Sequence, residues 1–430
     1  MPQSPADGLK LEPYWWDAAP PTPLPIAELP KQIDTVVIGA GYTGLGAALT
    51  LARASREVLV LEAEATGWAA SSRNQGHVGI NRQSFGQLAD AYGKAKAAAI
   101  VREELASVDF IFDLIEREKI DCHVRRSGRF VAAARPGHYE MLAREMDTLK
   151  REVGYEADMV PRSEMRKELA TDAYFGGEIR HREGSVHGAM LQAGLVKSVM
   201  AAGGTVASGT RVRRIEQEVG GFTVETPRGR IRARDVVVAS DALTGNLVPK
   251  LQRRVIPLSA GGVATEPLDI DRIRSVIPGL RPSVDTLKLA HSMRPAPDHS
   301  RLIFGGRATM RDTDPRTSGE RIFALAKRLF PQLDGIRLGH SWLGTVGYTF
   351  QKRPHIGQID GIHYAVGYSG YGVAMAPYMG HKIALRLLRA NDASTAFDSL
   401  PFETRPLYYG RPWFLPVTVL YYRYKDWMAK

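Results

Sequence analysis

A single cysteine, Cys122, is all the thiol this 430-residue chain carries, so no disulfide can form within it. That scarcity fits a reducing compartment. The opening stretch MPQSPADGLKLEPYWWD lacks the basic-then-apolar pattern of a secretory signal, so a cytoplasmic location is expected. Long apolar runs are missing as well. One uncharged stretch, Thr35 to Ala52, approaches bilayer length, but a glycine-rich turn divides it between a strand pattern and a helix pattern. A buried strand-turn-helix explains its hydrophobicity without a membrane. The histidines form no HxxxH pair on a helix and do not cluster with acids at ligand spacing, so no metal is expected. There is no GxSxG elbow for a serine hydrolase, and one cysteine cannot supply the CxxxxC pair of a disulfide reductase. Neither an RNP motif nor zinc-finger spacing is present, and no nucleic-acid partner is expected.

What the chain does have is an ordinary globular balance, 44% hydrophobic and 24% charged, which is enough for a sizeable core. Its length suggests about two to three domains. The formal net charge of +11 suits nucleic acid, an anionic membrane surface or acidic small molecules. The basic residues are spread, densest at Arg125–Arg126, Arg211–Arg214 and Arg228–Arg234 beside strand-like runs. A solvated basic surface accounts for them; steering of an anionic substrate or cofactor is the alternative.

Residues 1–30, rich in Pro, Trp and Tyr, read as an extended lead-in. Regular structure begins with the strand Ile33–Ile38. One long helix is expected over 84–118, with Leu105, Val108, Ile111 and Leu114 at helical spacing. A strand at 128–134 and a helix at 137–152 follow. The next helical pattern starts at Gly184 and stops at Gly203–Gly204. Short strands are expected at Thr205–Ala207, Val212–Ile215, Phe222–Thr226, Arg230–Ala233 and Val236–Ala239. Residues 255–265 and 284–306 are strand-rich, and 318–329 and 373–389 helical. The mixture points to interleaved rather than sequential domains.

The strongest chemical signal is Gly39-Ala40-Gly41-Tyr42-Thr43-Gly44, directly after the first strand. The first glycine permits a tight turn, the second lets backbone approach a pyrophosphate, and the third lets the helix pack closely on the strand. The helix N-terminus then offers N–H groups and a positive dipole end to phosphates. Alone the motif is weak evidence. Here a second strand, Val58–Leu61, ends in Glu62, where an acid holds ribose hydroxyls. Motif, context and acid together predict dinucleotide binding. The Glu62 carboxylate would repel a 2′-phosphate, which leaves NAD and FAD ahead of NADP. The polar segment from Gly67 to Gly79 can run under a pyrophosphate and reach an isoalloxazine edge, or be a plain polar loop.

The pieces IGAGYTG, LEA, GWAASSRNQG, GYSGYGVAMAPYMG, and the WLG and PHIG before the last, resemble the D-amino-acid-oxidase-type FAD oxidoreductases. The likeness runs from residue 30 to residue 390 and leans to the gamma-glutamylputrescine oxidase branch, whose relatives include sarcosine and glycine oxidases. The ending WFLPVTVLYYRYKD is also similar to that branch. With the strand and helix pattern, the resemblance implies an α/β fold: a Rossmann-type FAD-binding domain (31–118, 181–254 and 340–395) interleaved with an α+β substrate domain. The latter, 119–180 and 255–339, is built on a mostly antiparallel sheet. A tail, 396–430, follows.

The resemblance implies that Glu62 and Ala63 hold the adenosine ribose, with Gly39, Gly41, Tyr42, Thr43 and Gly44 at the pyrophosphate. It puts Ser72, Arg73, Gln75 and Gly76 along the pyrophosphate and flavin. Val212 meets adenine through its backbone, and Gly344 is a further cofactor contact. Gly370, Tyr371, Gly372 and Val373 lie beside the flavin pyrimidine ring. There a helix N-terminus offsets the negative charge that a reduced flavin gathers near N1 and the C2 carbonyl. The implied reaction passes a hydride from a C–N carbon of an amine or amino acid to flavin N5. The imine hydrolyses, and oxygen is reduced to hydrogen peroxide. The rivals are a dehydrogenase serving a quinone or carrier protein, and a flavin-binding subunit without turnover of its own.

Three departures matter. In sarcosine oxidases the flavin is joined to a cysteine in the segment before the last glycine-rich turn, but Leu343 to Gly357 holds none, so non-covalent FAD is expected. Glycine and D-amino-acid oxidases carry an arginine two residues after the glycine of Trp-x-Gly, where this chain has Val346. Arg294 or Arg307 are the candidates to replace it at a substrate carboxylate, with a structural salt bridge as the commoner role for each. The tyrosine pair usual before the arginine is Ser292-Met293 here, preceded by His291. His77, Tyr348 and His291 are the candidate catalytic residues, each with ordinary packing as the alternative. Ala374 stands where an oxygen-activating lysine would lie, and Lys352 reads as a surface residue. The tail mixes aromatic and basic residues; Pro416 and its short length make a poor amphipathic helix. Packing back on the protein is therefore expected, with weak contact to a membrane surface as the alternative. Acid precipitation is expected to release yellow flavin into the supernatant, whereas flavin retained in the pellet would establish a covalent link.

Overall fold

The computed structural model describes residues 8–26, 28–81, 84–306 and 314–428, and in the last of these ranges a few side chains are left undescribed. The strand Gln32–Ile38 reads QIDTVVI, and its last four residues are buried on both faces, as a central parallel strand requires. It pairs in parallel with Val58–Leu61 on one side and Gly229–Val238 on the other. Thr205–Ala207 and Ile362–Val366 extend the parallel sheet at either flank. An antiparallel edge strand, His355–Ile359, and a meander of Arg214–Glu218 and Gly221–Thr226 complete it. Alternate residues feed two cores. Val37, Val60 and Val237 pack under helices Tyr42–Arg53, Lys94–Arg117, Gly188–Ala201 and Gly372–Leu387. Val36, Leu59, Val236 and Val238 pack on the opposite face.

The second sheet has eight strands, ordered in space Leu338–Tyr348, Ile256–Thr265, Leu302–Gly306, Ser292–Pro295, Ser283–Asp285, Arg129–Ala132, Gly177–Arg180 and Asp158–Val160. All its pairs are antiparallel except Ser283–Asp285 with Arg129–Ala132. The helix Pro315–Leu329 covers one face, packing Ile322 and Phe323 over Val263, Met293 and Phe304. The α/β fold with a second, mostly antiparallel sheet is thus as expected.

Several local readings change. The expected helix 84–118 is two helices, Phe85–Tyr92 and Lys94–Arg117, because Gly93 turns the chain at φ +81°. Arg230–Ala233 and Val236–Ala239 are one strand, Gly229–Val238. The expected domain change at residue 340 falls inside Leu338–Tyr348, a strand of the second sheet. The first thirty residues are not merely a lead-in: the turn Tyr14–Asp17 buries Trp15 completely against Ile303 and Trp342. Hydrophobic burial outweighs the local proline signal there. Among the described residues no helix is long and apolar enough to cross a membrane.

Two helices far apart in sequence touch backbone to backbone. A Cβ on Gly46 would lie 2.4 Å from the Pro377 carbonyl oxygen, and one on Gly380 would lie 2.0 Å from that of Thr43. Gly380→Ala is therefore expected to destabilise the protein by about 1–3 kcal/mol through overpacking. Gly137→Ala, in the exposed first turn of Pro136–Val153 with nothing near its added methyl, is the control and should be neutral or mildly stabilising. Chemical denaturation of the two variants side by side checks this.

Candidate functional site

The parallel strands end in a crevice, the usual ligand position of such sheets. Gly39 leaves the first strand at φ +106°, its amide donating to the Leu61 carbonyl at 2.8 Å. A Cβ on Gly44 would stand 1.9 Å from the Gly39 carbonyl oxygen, so the turn closes only without a side chain there. Gly41 is the N-cap of Tyr42–Arg53 and brings no side-chain cap. The first-turn amides have no acceptor inside the helix. That of Tyr42 donates to Ser71 Oγ at 3.0 Å. Tyr42 itself is buried with its hydroxyl donating to the Gly188 carbonyl, and Thr43 Oγ1 lies 2.6 Å from the Tyr368 hydroxyl.

Glu62 turns its carboxylate into the same turn, accepting from the Ala40 amide at 2.9 Å and the Glu64 amide at 3.1 Å. Ala63 follows, half-buried. The Thr210 amide donates to the Glu62 carbonyl at 2.8 Å, which brings the half-buried Val212 to this side of the crevice.

The segment after Gly67 links the two sheets. Ser72 is buried, and its Oγ accepts from the Trp16 indole at 2.9 Å and donates to the Gly67 carbonyl. The hydroxyl facing the helix N-terminus is therefore that of Ser71, not Ser72. The Arg73 guanidinium lies over the rings of Trp16 and Trp68, 4.5 and 5.0 Å from their centres, and donates to the Leu343 carbonyl at 3.0 Å. Burial lowers its pKa. Gln75 crosses to the second sheet, where Nε2 reaches the Phe304 carbonyl at 3.5 Å over Gly262 and Gly305. Gly76, at φ +70°, takes the Val186 amide on its carbonyl at 2.8 Å.

Arg294 is buried beneath this segment. Its guanidinium donates to the carbonyls of Gln75 at 3.1 Å, Val186 at 3.0 Å and Pro295 at 3.1 Å, and no carboxylate pairs with it among the described residues. It is therefore committed to backbone rather than offered to a substrate. Arg307 lies outside the described residues. His77 follows Gly76 with its Nε2 buried and without a hydrogen-bond partner among the described residues. Burial first, then the charges of Arg294 and Arg129, hold its pKa well below the ordinary value, so the ring is neutral.

The C-terminal turn closes the crevice. Asp241, missed in the sequence, accepts from the Gly367 amide at 2.7 Å and from the backbone of Gly347 and Ala242. Burial raises its pKa against those three bonds. Ser369 N donates to the Gly347 carbonyl at 2.9 Å, tying the same two segments again. Gly370 sits at φ +97°, and a Cβ on it would come 3.5 Å from the Tyr348 hydroxyl. Tyr371 then caps Gly372–Leu387, which Gly372 and Val373 open. Strand alternation puts Trp342, Gly344, Val346 and Tyr348 on one face. The Trp342 indole donates to the Arg73 carbonyl at 2.9 Å, and Gly344 packs on the Arg73 side chain. Val346 therefore faces the same segment.

His291 is held differently. Its Nδ1 lies 2.6 Å from Asp285 Oδ2, and Asp285 is fully buried. His291 and Tyr348 belong to the same end of the second sheet, but two strands, Ile256–Thr265 and Leu302–Gly306, lie between theirs. The lone thiol, Cys122, is buried behind Tyr42, on whose ionisation it acts, and burial and Asp121 push its own pKa up to about 12.

The residues present fit a bound dinucleotide on three grounds: a turn closed only without side chains, a carboxylate turned into it, and buried polar atoms of Gln75 and His77 left without partners among the described residues. A family model described as FAD-dependent oxidoreductase matches residues 34–386. The chain is 32% identical to gamma-glutamylputrescine oxidoreductase of Escherichia coli, over 91% of this chain and 92% of that one. It is 25% identical to glycine oxidase of Geobacillus kaustophilus, over 86% and 96%. The crystal structure of glycine oxidase from Geobacillus kaustophilus superposes with a TM-score of 0.74 at 21% identity, covering 88% of this chain and 99% of that one. With the family model spanning most of the chain and a relative 32% identical along nearly all of it, the chain belongs to the DAO family of FAD-dependent oxidoreductases.

Proposed function

We propose that this enzyme oxidises an amine at the carbon beside its nitrogen, with oxygen as the electron acceptor and hydrogen peroxide as a product. The observation that carries the reading is the meeting of two helix N-termini, at Tyr42 and Gly372, over one crevice facing a second sheet. Glu62 and Ala63 would hold the adenosine ribose, and the backbone from Gly39 to Gly44 the pyrophosphate. Arg73, Gln75, Gly76 and the backbone at Ser72 continue along the cofactor, with Val212 at the adenine. Gly344 and the turn Gly370–Val373 serve the flavin ring. When bound, FAD supplies a two-electron acceptor for the hydride. Binding is non-covalent: the buried Cys122 thiol, with its pKa raised to about 12, is a poor nucleophile.

The protein's own part is to orient the substrate and keep its amine neutral, since only a free lone pair stabilises the developing iminium. His77, neutral beside two arginines, can accept a hydrogen bond without adding charge. Tyr348, beside Gly370, and His291, steadied by Asp285, are the further candidates to line the substrate side. Val346 puts an apolar side chain where relatives carry a carboxylate-binding arginine, and Arg294 is occupied by carbonyls. That supports an alkyl amine with no carboxylate on the reacting carbon, such as the substrate named for the 32%-identical relative, over glycine.

Anaerobic titration of the purified protein with an amine panel tests this. Gamma-glutamylputrescine should bleach the flavin absorbance and glycine should not; bleaching by glycine alone would reverse the assignment. Readmitted air should restore the colour with release of peroxide, whereas slow recovery in air and fast recovery with a quinone would replace oxygen as acceptor. Glu62→Ala should weaken FAD binding about 10–100-fold, as expected for charge-assisted hydrogen bonds, read by flavin fluorescence on reconstitution of the apoprotein.

A further inference from the structure

The last element among the described residues is a helix, Leu415–Met428. One side of it packs back: Val419 is buried, Leu415 joins Tyr408 and Ile256, and the Tyr422 hydroxyl takes a hydrogen bond from Lys352 at 3.1 Å. The other side does not turn polar. Val417, Leu420, Tyr421, Tyr424 and Met428 recur at helical spacing, and each is more than half exposed, from 53% to 70%. Leu407, Tyr409 and Trp413 carry the exposed surface into the preceding loop. Eight of the fifteen large hydrophobic side chains exposed among the described residues lie in this stretch, so it is a patch rather than scatter.

Its charge is mainly basic. From Thr404 to Met428 the sequence has four basic residues and one acid, Asp426. The Lys425 ammonium lies 5.6 Å from the Tyr421 ring centre, and Arg253 borders the patch 4.7 Å from the Tyr409 ring centre. Exposed Trp and Tyr beside Val, Leu and Met, edged by cations, is the composition of segments that lie in a bilayer interface. A second copy of this chain, itself at +11, would set like charges against these edges. An anionic lipid surface complements both the apolar stripe and the cations.

We propose that the outward face of Leu415–Met428 docks this enzyme on an anionic lipid bilayer, lying in the interface plane. The test is co-sedimentation of the full-length holoenzyme with vesicles of phosphatidylcholine, with and without phosphatidylglycerol. Binding should require phosphatidylglycerol and weaken as salt is raised. The variant Val417→Glu with Leu420→Glu should lose at least about tenfold in partitioning, since each position gives up an aliphatic side chain that the bilayer would bury. Its flavin content, thermal midpoint and rate with a soluble amine should stay at those of the parent chain, which separates lost docking from lost folding. Parent chain left in the supernatant with anionic vesicles, or a variant that pellets as well as the parent, overturns the proposal. So does sedimentation equilibrium showing a dimer that the variant dissolves, because the face is then covered by a second copy.

Discussion

The contact between helices Tyr42–Arg53 and Gly372–Leu387 is the constraint on which the rest of the site depends. Gly46 meets Pro377, and Gly380 meets the Thr43 carbonyl, at distances that leave no room for a side chain on either glycine. Backbone then packs on backbone, and the two helix N-termini are brought to one crevice. The Thr43–Tyr368 hydrogen bond at 2.6 Å fixes their relative slide. The crevice thereby receives partial positive charge from two directions, one end suited to phosphate and the other to charge on a ring.

The second sheet is coupled to that crevice through buried charge. Arg294 reaches across to the carbonyls of Gln75 and Val186, and Arg129 pairs with Glu183, whose carboxylate accepts the Ile80 amide at 3.3 Å. A buried guanidinium stabilises by satisfying acceptors that would otherwise be stranded. The segment from Gln75 to Ile80 is in this way held by the substrate-side sheet while its neighbours belong to the cofactor side. Burial first, and then the same positive charges, hold the His77 pKa well below its ordinary value, so the ring is neutral.

Much of this was legible in the sequence wherever the signal is local. The glycine turn, the acid after the second strand and the final GYSGYG each act within a few residues of their own backbone, and the structure gathers them as the pattern implies. Contacts made by distant partners left no such mark. Nothing in the order Ser71-Ser72 tells which hydroxyl meets Tyr42 and which is buried under Trp16. Asp241 looks like any acid after a strand until Gly347 and Gly367 fold over it. Arg294 carries the same local pattern whether it grips a carboxylate or the backbone carbonyls of Gln75, Gly76, Val186 and Pro295. Trp15 and Trp16 sit in a proline-rich stretch that reads as lead-in, because their partners, Trp342 and Ser72, come later in the chain.

That last arrangement bears on how the protein is made. Residues are synthesised in order, and contacts between remote segments are paid for by closing long loops. Trp15 leaves the ribosome long before its neighbour Trp342. Thr43 waits in the same way for Tyr368, 325 positions on. The crevice thus forms only once the segment around Tyr368 has been made, and a nascent chain holding the whole glycine motif still lacks the wall opposite it. Assembly of the crevice is accordingly coupled to synthesis of the segment around Tyr368 rather than to emergence of the motif.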